Sequence, residues 1–223
     1  MVAILSQFKF SLDRQSLERI YISNIRPIME YADVVWAGSN HADLTRLDSI
    51  QKDAARVVTG ATARCNTELL GRDVGWQSLA ERRRHHRLVL FYKTVNGLSP
   101  PYLSDLLPRR TRERTRYVLR TAEEFTRPFC RLLSFSRSFI PDTAEAWNKL
   151  DWVVKNVPRL SLFQSKLTGN TVRPRKNPLF YAGARFDNVN MARLRIRCSC
   201  LNSYLYNYVW IVLHVVVVMM RKT

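Results

Sequence analysis

Residues 78–97, SLAERRRHHRLVLFYKTVNG, join a run of basic residues directly to an apolar segment, and this stretch decides the fold. Ser78 followed three residues later by Glu81 is the capping-box pattern of a helix N-terminus. Gly97 is typical of the position that follows a helix C-terminus. The spacing therefore predicts one helix from Ser78 to Gly97, with its charged turns first and its apolar turns last.

Further helical patterns precede this stretch. Residues 12–36, LDRQSLERIYISNIRPIMEYADVVW, place apolar residues at helical spacing, with Asp13 as a predicted N-cap and Pro27 as a predicted kink or end. Residues 41–60, HADLTRLDSIQKDAARVVTG, carry one apolar stripe closed by Gly60. A short turn and helix follow in SPPYLSDLLP, so residues 1–108 are predicted to form one helical region.

The pattern changes at Arg109. Residues 109–170 mix arginine with aromatic and β-branched residues, which favours extended segments or short strands. Two short helices are predicted within this region, in DTAEAWNKLD and SLFQSKLTG, capped by Asp142 and Ser161. Residues 171–208 indicate a basic linker and C-terminal segment, and residues 209–223 an apolar tail. The predicted fold class is mainly α, with a less regular α+β segment after Arg109.

The charge balance predicts a polyanionic partner. Thirty-six Lys and Arg against eighteen Asp and Glu give a net charge of +18 in 223 residues. Such an excess usually meets nucleic acid and less often an anionic membrane surface, and the alternative is a solvated basic face with no specific partner. The N-terminus has no secretory signal pattern, so an intracellular location, nuclear or cytoplasmic, is expected and secretion is not.

No constellation of catalytic or metal-binding residues is found in the sequence. Phosphate-binding glycine loops, nucleophile elbows and zinc-protease motifs are absent. Cys198 and Cys200 form a C-x-C pair that lacks further ligands, so neither a metal nor a small-molecule cofactor is expected. His85 and His86 lie among arginines without an evident acid or base partner, so they are expected to coat a solvated or phosphate-facing surface.

The segment Tyr31-Ala32-Asp33-Val34 differs by one residue from the aromatic-x-Asp-Asp turn of reverse transcriptases. That turn needs two adjacent carboxylates because they hold two metal ions, and Val34 cannot ligate a metal. The interpretation is therefore structural. Tyr31, Val35 and Trp36 are expected to pack in a core, and Asp33 to serve as a turn or capping residue.

Arginines are the predicted nucleic-acid contacts, since they neutralise phosphates and stack on unpaired bases. One group lies in the helix of residues 78–97, where it spans about a turn and a half. A second group, in MARLRIRC, alternates at period two, which predicts one side of a strand. The candidate binding residues are Arg82, Arg83, Arg84, Arg87, Arg193, Arg195 and Arg197.

Five stretches, in this order, resemble a known family: IRPIMEYADVVWAG, LDSIQKDAARVVTGAT, LGRDVGWQSLAERRRHHRLVLFYKTVNGLSPPYLSDLLP, FIPDTAEAWNKLD and LSLFQSKL. They are similar to the region downstream of the polymerase core in LINE-type (non-LTR), jockey-like retrotransposon reverse transcriptases. The resemblance covers roughly residues 5 to 208. It implies that residues 1–108 are a thumb-like helical bundle and residues 109–170 a connector, which help to hold the RNA template and primer.

The resemblance also implies what this chain would lack. The palm, with the carboxylates that bind Mg²⁺ in the parent enzyme, would lie N-terminal to Met1, so no polymerase activity is expected from the chain by itself. The expected partners are RNA or an RNA–DNA hybrid and the N-terminal polymerase region. The alternatives are a standalone basic nucleic-acid-binding or interaction protein and a tail-anchored membrane protein.

The tail fits none of these functions simply. The apolar run 208–220 is shorter than the roughly 18 to 20 residues that span a bilayer, and it contains His214, so a membrane partner is not expected. In the similar elements a Cys-x-Cys-Gly zinc-binding knuckle follows this point. One choice of codons for IVLHVVVVMMRKT, read in a shifted frame, gives CSACRCGYDEEN, which contains Cys-Arg-Cys-Gly. We therefore hypothesise that residues 209–223 arise from a frameshift or a mistaken gene model.

Overall fold

The computed structural model describes residues 2–113, 122–168 and 185–196, and this part of the chain is mainly helical, as the sequence predicts. A π-helical turn, Tyr21–Ile25, and a 3₁₀ turn, Thr111–Glu113, interrupt the α-helices. In chain order the α-helices are α1 Val2–Gln7, α2 Arg14–Ile20, α3 Arg26–Glu30, α4 Asp33–Trp36, α5 His41–Thr59, α6 Thr67–Val74, α7 Leu79–Val95, α8 Pro101–Ser104, α9 Leu133–Ser136, α10 Phe139–Asn148, α11 Trp152–Lys155, α12 Leu160–Thr168 and α13 Arg185–Arg195.

Three predicted helix boundaries are confirmed. The Asp13 carboxylate accepts a hydrogen bond from the Gln15 backbone N–H at the start of α2. The Ser78 hydroxyl accepts one from the Glu81 N–H at 3.2 Å, so α7 begins at the predicted residue. Helix α5 ends at Thr59, and Gly60 follows with a φ of +74°. These boundaries depend on contacts within a few residues of the chain, which is why the sequence predicts them.

Two predicted caps are wrong. Asp142 and Ser161 lie inside helices α10 and α12, which begin at Phe139 and Leu160. Pro141 falls in the first turn of α10, where its missing N–H is not needed for an intrahelical hydrogen bond, so the helix can start before Asp142. Pro27 lies in the first turn of α3, directly after the π-helical turn that interrupts regular α-helix, and the predicted kink or end at Pro27 stays a prediction.

Among the described residues after Arg109, the predicted extended structure is limited to one antiparallel bridge, between Arg110 and Phe125. Backbone hydrogen bonds of 2.9 Å from Thr111 N to Glu124 O and from Thr126 N to Arg109 O support it. The strand predicted for MARLRIRC is wrong over its described part, since these residues belong to helix α13. The alternation of arginine with apolar residues predicted a strand. The buried apolar residues here are instead Ala192 of α13 and Ile196 just after it, which are four positions apart, as on one face of a helix.

The chain forms two compact units that interleave along the sequence. The described residues among 1–23, 52–76 and 176–223 form the first unit, and those among 24–51 and 77–175 form the second. The sequence-based divisions after residues 108, 170 and 208 follow changes in composition and stay predictions.

The second unit is built around the apolar half of α7. Tyr92 stacks on Phe163 of α12, with ring centroids 4.3 Å apart, and its hydroxyl donates a 2.5 Å hydrogen bond to the Val157 carbonyl. Phe91 meets Phe125 edge to face at 5.2 Å and Trp147 at 5.3 Å. The core therefore collects aromatic residues from α7, α10, α12 and the loop before α9. Its buried members are Leu88, Phe91, Tyr92, Phe125, Ala144, Trp147, Val157 and Phe163.

The first unit packs α5, α6 and α13 around a small core. Its buried members include Ala55, Cys65, Leu70, Val74 and Ile196. Two features of this unit require a glycine at position 60. Its φ lies in the left-handed region, and a Cβ there would meet the Val189 side chain of α13 at 2.6 Å. A glycine that ends α5 thus also lets α13 approach the chain closely.

Among residues 2–113, 122–168 and 185–196, no helix has the length and apolar character needed to cross a bilayer. The apolar tail, residues 209–223, lies outside these described ranges.

We expect Phe163→Ala to destabilise the protein by about 3–5 kcal/mol, because it removes a fully buried ring from the aromatic core. Chemical denaturation followed by circular dichroism measures this free energy of unfolding. Leu162→Ala is the matched control, since Leu162 is the neighbouring residue on α12 and is exposed. Equal losses in the two variants would contradict the assignment of Phe163 to the core.

Candidate nucleic-acid interface

The basic run of α7, residues 82–87, contains four of the candidate binding arginines, and three of the four are held by carboxylates of the chain. The guanidinium of Arg82 binds both carboxylate oxygens of Glu30 through Nε and Nη2. Arg83 is buried, its Nη2 lies 3.6 Å from Asp48, and its guanidinium lies 5.8 Å from the Trp36 ring. These contacts fasten the preceding helices of the second unit to α7.

Arg87 links α7 to the segment that leads into α10. Only 6% of its side chain is exposed. Its Nη1 lies 2.5 Å from Asp142 Oδ2, and its Nη2 donates to the Arg137 carbonyl at 3.2 Å. A buried guanidinium needs such partners because leaving it unpaired would carry the full cost of desolvation. Asp142 is therefore the partner of a buried cation and not a helix cap.

The two histidines of the basic run also have partners, which sequence reasoning missed. His86 Nδ1 lies 2.6 Å from Oδ2 of Asp33, a carboxylate that is almost fully buried. The Gln77 amide nitrogen lies 3.0 Å from His85 Nδ1, and burial lowers the pKa of His85, which favours the neutral ring. Asp33 had been singled out in the segment Tyr31–Val34, which is similar to the aromatic-x-Asp-Asp turn. No local sequence pattern, however, links it to His86, because the two residues are 53 positions apart.

The expected core role of Tyr31 and Val35 is wrong. Both side chains are exposed, while Asp33 between them is buried. Helix α4 is a single turn that begins at Asp33 after Ala32, whose φ is +51°. This left-handed residue turns the chain so that the carboxylate faces α7, which leaves the neighbouring apolar side chains in solvent.

Arg84 differs from the rest of the basic run. It is exposed, and within the described chain it forms no ion pair or hydrogen bond. It lines a cleft of about 280 Å³ together with Arg83, Arg87, Leu44 and others. A second cleft, of about 220 Å³, shares Leu44, Arg87 and Asp142 with the first and adds Arg137 and His41. Arg137 is likewise exposed, and no carboxylate of the described residues binds its side chain.

These two clefts can therefore attract an anion. Asp142 is the one acidic residue among the described residues that line them, and it is engaged by Arg87, so the charges of Arg84 and Arg137 remain uncompensated there. The walls are short apolar side chains, which leave the guanidinium groups as the chief polar features. We call the two clefts together the arginine cleft.

The second predicted group of arginines lies on α13, in the first unit. Arg195 Nε donates to Asp73 Oδ1 at 2.6 Å, and Asp73 also lies 2.9 Å from Arg14 Nη1. The exposed fractions of the Arg14 and Asp73 side chains are 2% and 3%. Arg193 donates from Nε to the Gly60 carbonyl at 2.9 Å. Arg197 lies outside the described residues.

Helix α13 carries a further internal cation that sequence reasoning did not single out. Arg185 donates to the carbonyls of Val57 and Val58 at the end of α5, at 2.8 and 2.7 Å. Carbonyls at a helix C-terminus carry partial negative charge, so an arginine is favourable there. Burial lowers the pKa of Arg185.

In the described ranges no group of three or more His, Cys, Asp and Glu side chains is arranged to hold a metal ion. Cys198 and Cys200 lie outside these ranges, and Cys65 is a buried free thiol.

Comparison with known proteins returns no match: no protein-family model, no curated protein and no solved structure is significantly similar to this chain. The resemblance to non-LTR reverse transcriptases therefore rests on the five sequence stretches alone and stays a prediction.

We expect Asp73→Ala to destabilise the protein by about 3–5 kcal/mol, because it removes the buried carboxylate that pairs with both Arg14 and Arg195. Glu68→Ala on the same helix is the control. It breaks the exposed Arg72–Glu68 pair, which is worth about 0–1 kcal/mol. Urea denaturation of both variants provides the comparison, and an Asp73→Ala loss no larger than that of Glu68→Ala would contradict a buried ion pair.

Proposed function

We propose that this chain binds nucleic acid through its uncompensated arginines, as a helical region of a non-LTR retrotransposon reverse transcriptase that helps to hold the RNA template and primer. It has no polymerase activity by itself in this proposal, because the palm carboxylates of the parent enzyme lie elsewhere. The five ordered sequence stretches support the family, and the mainly helical fold agrees with a thumb-like and connector region.

The observation that carries the binding proposal is the separation of the cations into two groups. Arginines such as Arg14, Arg83 and Arg87 are buried with carboxylates and stabilise the fold. Another group is exposed and forms no ion pair in the described part of the chain. Its members are Lys9, Arg19, Lys52, Arg64, Arg84, Arg109, Arg131, Arg137, Arg159 and Lys166.

Exposed, unpaired cations are the groups that a phosphate backbone can neutralise, with release of the counterions bound to it. Arg84 and Arg137 are the best placed, because both line the arginine cleft. Arg82, Arg83 and Arg87 have a different role in this proposal. They hold the helix that presents Arg84, since a phosphate could take them only by displacing Glu30, Asp48 or Asp142.

The double variant Arg84→Ala/Arg137→Ala should bind RNA several-fold more weakly than the original chain. The slope of log K against log salt should also fall by about 1.5, since two phosphate contacts are lost. Fluorescence anisotropy with a fluorescein-labelled RNA oligonucleotide, titrated at several KCl concentrations, measures both quantities.

The control is Arg46→Ala/Arg72→Ala, which removes the same charge from two exposed arginines that pair with Asp43 and Glu68 on their own helices. Equal affinities and slopes for the two double variants would rule out a specific role for the arginine cleft. A wild-type chain that shows no salt-dependent RNA binding would end the proposal of nucleic-acid binding altogether.

The family relation has a separate test in the genomic DNA around the coding sequence. We expect sequence upstream of Met1 to encode a polymerase palm with an aromatic-x-Asp-Asp turn, and the shifted frame beneath residues 209–223 to encode the cysteine knuckle. Sequencing of the locus decides this. The family relation would be ruled out if the upstream DNA encoded no palm and the codons were incompatible with the shifted frame. The proposal of nucleic-acid binding would then depend only on the RNA-binding experiment.

A further inference from the structure

Residues 126–137, in the second unit, expose several large apolar side chains in one short segment. Phe129 is 90% exposed, and Leu132, Leu133 and Phe135 also face solvent. Single exposed apolar residues are ordinary, but a group of this kind usually marks a surface that binds something. We call Phe129, Phe135 and the arginines between and beside them, Arg131 and Arg137, the aromatic–arginine segment.

Side-chain contacts of Arg127 tie this segment to α10, and local hydrogen bonds order it internally. Arg127 bonds to the Ser136 hydroxyl at 2.8 Å and to Glu145 of α10 at 2.6 Å. The Cys130 thiol contacts the Pro128 carbonyl at 3.1 Å, and the Ser136 N–H donates to the Leu132 carbonyl at 3.0 Å. The phenylalanine rings therefore project from a constrained chain, which lowers the entropy lost when a partner binds.

The charges near the phenylalanine rings indicate which kind of molecule binds there. Arg131 and Arg137 are exposed and form no ion pair among the described residues, and the sequence from 126 to 141 contains no Asp or Glu. Arg137 also lines the arginine cleft, so the segment and the cleft share a cation. A ligand that fits both features has negative charge at regular intervals and flat apolar faces.

Unpaired nucleic acid has this combination. In a single strand the base faces can stack on aromatic rings while the phosphates meet arginines, whereas in a duplex the bases stack on each other and offer only their edges. A lipid surface has anionic charge but no flat faces on which the rings could stack.

We propose that the aromatic–arginine segment is a stacking platform for single-stranded nucleic acid. Phe129 and Phe135 stack with unpaired bases, and Arg131 and Arg137 neutralise the adjoining phosphates. This inference rests on the proposed nucleic-acid binding and adds to it a preference for unpaired strands and the residues that set that preference.

The test compares a single-stranded RNA oligonucleotide with a hairpin duplex of the same length, both measured by fluorescence anisotropy. Phe129→Ala/Phe135→Ala should weaken single-strand binding by about tenfold or more and leave duplex binding and the salt slope unchanged. Both rings are exposed, so folding should be kept, and circular dichroism checks it. Tyr102→Ala, at another exposed aromatic residue of the same unit, is the control and should bind as the original chain does.

A second pair of variants separates stacking from simple apolar contact. Phe129→Leu/Phe135→Leu keeps the apolar surface without the rings and should lose single-strand affinity as the alanine variant does. Phe129→Tyr/Phe135→Tyr keeps the rings and should retain it. A 2-aminopurine base in the strand gives a direct signature, because stacking on a ring changes its fluorescence, and the leucine variant should abolish that change.

The outcomes distinguish this inference from the proposed function. Salt-dependent RNA binding that is equal for single strand and duplex, and equal in the alanine variant, overturns the platform and leaves nucleic-acid binding intact. Full affinity in the leucine variant also overturns it, because the segment is then an apolar docking surface. Absence of binding to either probe overturns both proposals.

Discussion

The ion pairs of the α7 basic run are the contacts on which the second unit depends. This helix has two halves with different partners. Its apolar half enters the aromatic core, and its basic half receives carboxylates from the chain on either side of it, Glu30 and Asp33 before it and Asp142 after it. Because Arg83 and Arg87 are buried, their partners Asp48 and Asp142 are required to offset desolvation. The contacts of Asp33 and Asp142 also fix where α4 and α10 lie against α7.

In the first unit a single carboxylate offsets the desolvation of two arginines. Asp73 compensates both Arg14 and Arg195, and so it joins helices α2, α6 and α13 at a buried site. Arg185 and Arg193 are instead held by backbone carbonyls at the end of α5. A chain with twice as many cations as anions has few carboxylates to use in this way. The buried arginines engage several of them, which leaves some of the exposed arginines, among them Arg84 and Arg137, uncompensated and available to an external anion.

This division changes which arginines can be assigned to binding. A count of basic residues gives the same weight to Arg83, Arg84 and Arg87, although two of them are buried in ion pairs and one is exposed. Arg137 and the neighbouring aromatic rings become stronger candidates for binding, because they are exposed. They lie in a region that looked like irregular connector, yet the contacts of Arg127 hold them in place at the surface. The role of the remaining candidate arginines in nucleic-acid binding stays a prediction.

The sequence by itself determined the longer helices α5 and α7 and the helix ends at Asp13, Ser78 and Gly60, since caps and apolar periodicity act over a few residues. It also determined the excess of positive charge. It could not determine which cations are free, because the partners of Arg82, His86 and Arg87 lie 52, 53 and 55 residues away along the chain. Long-range pairing of this kind, like the helical state of α13, depends on which surfaces packing brings together, and that was decided by the tertiary structure.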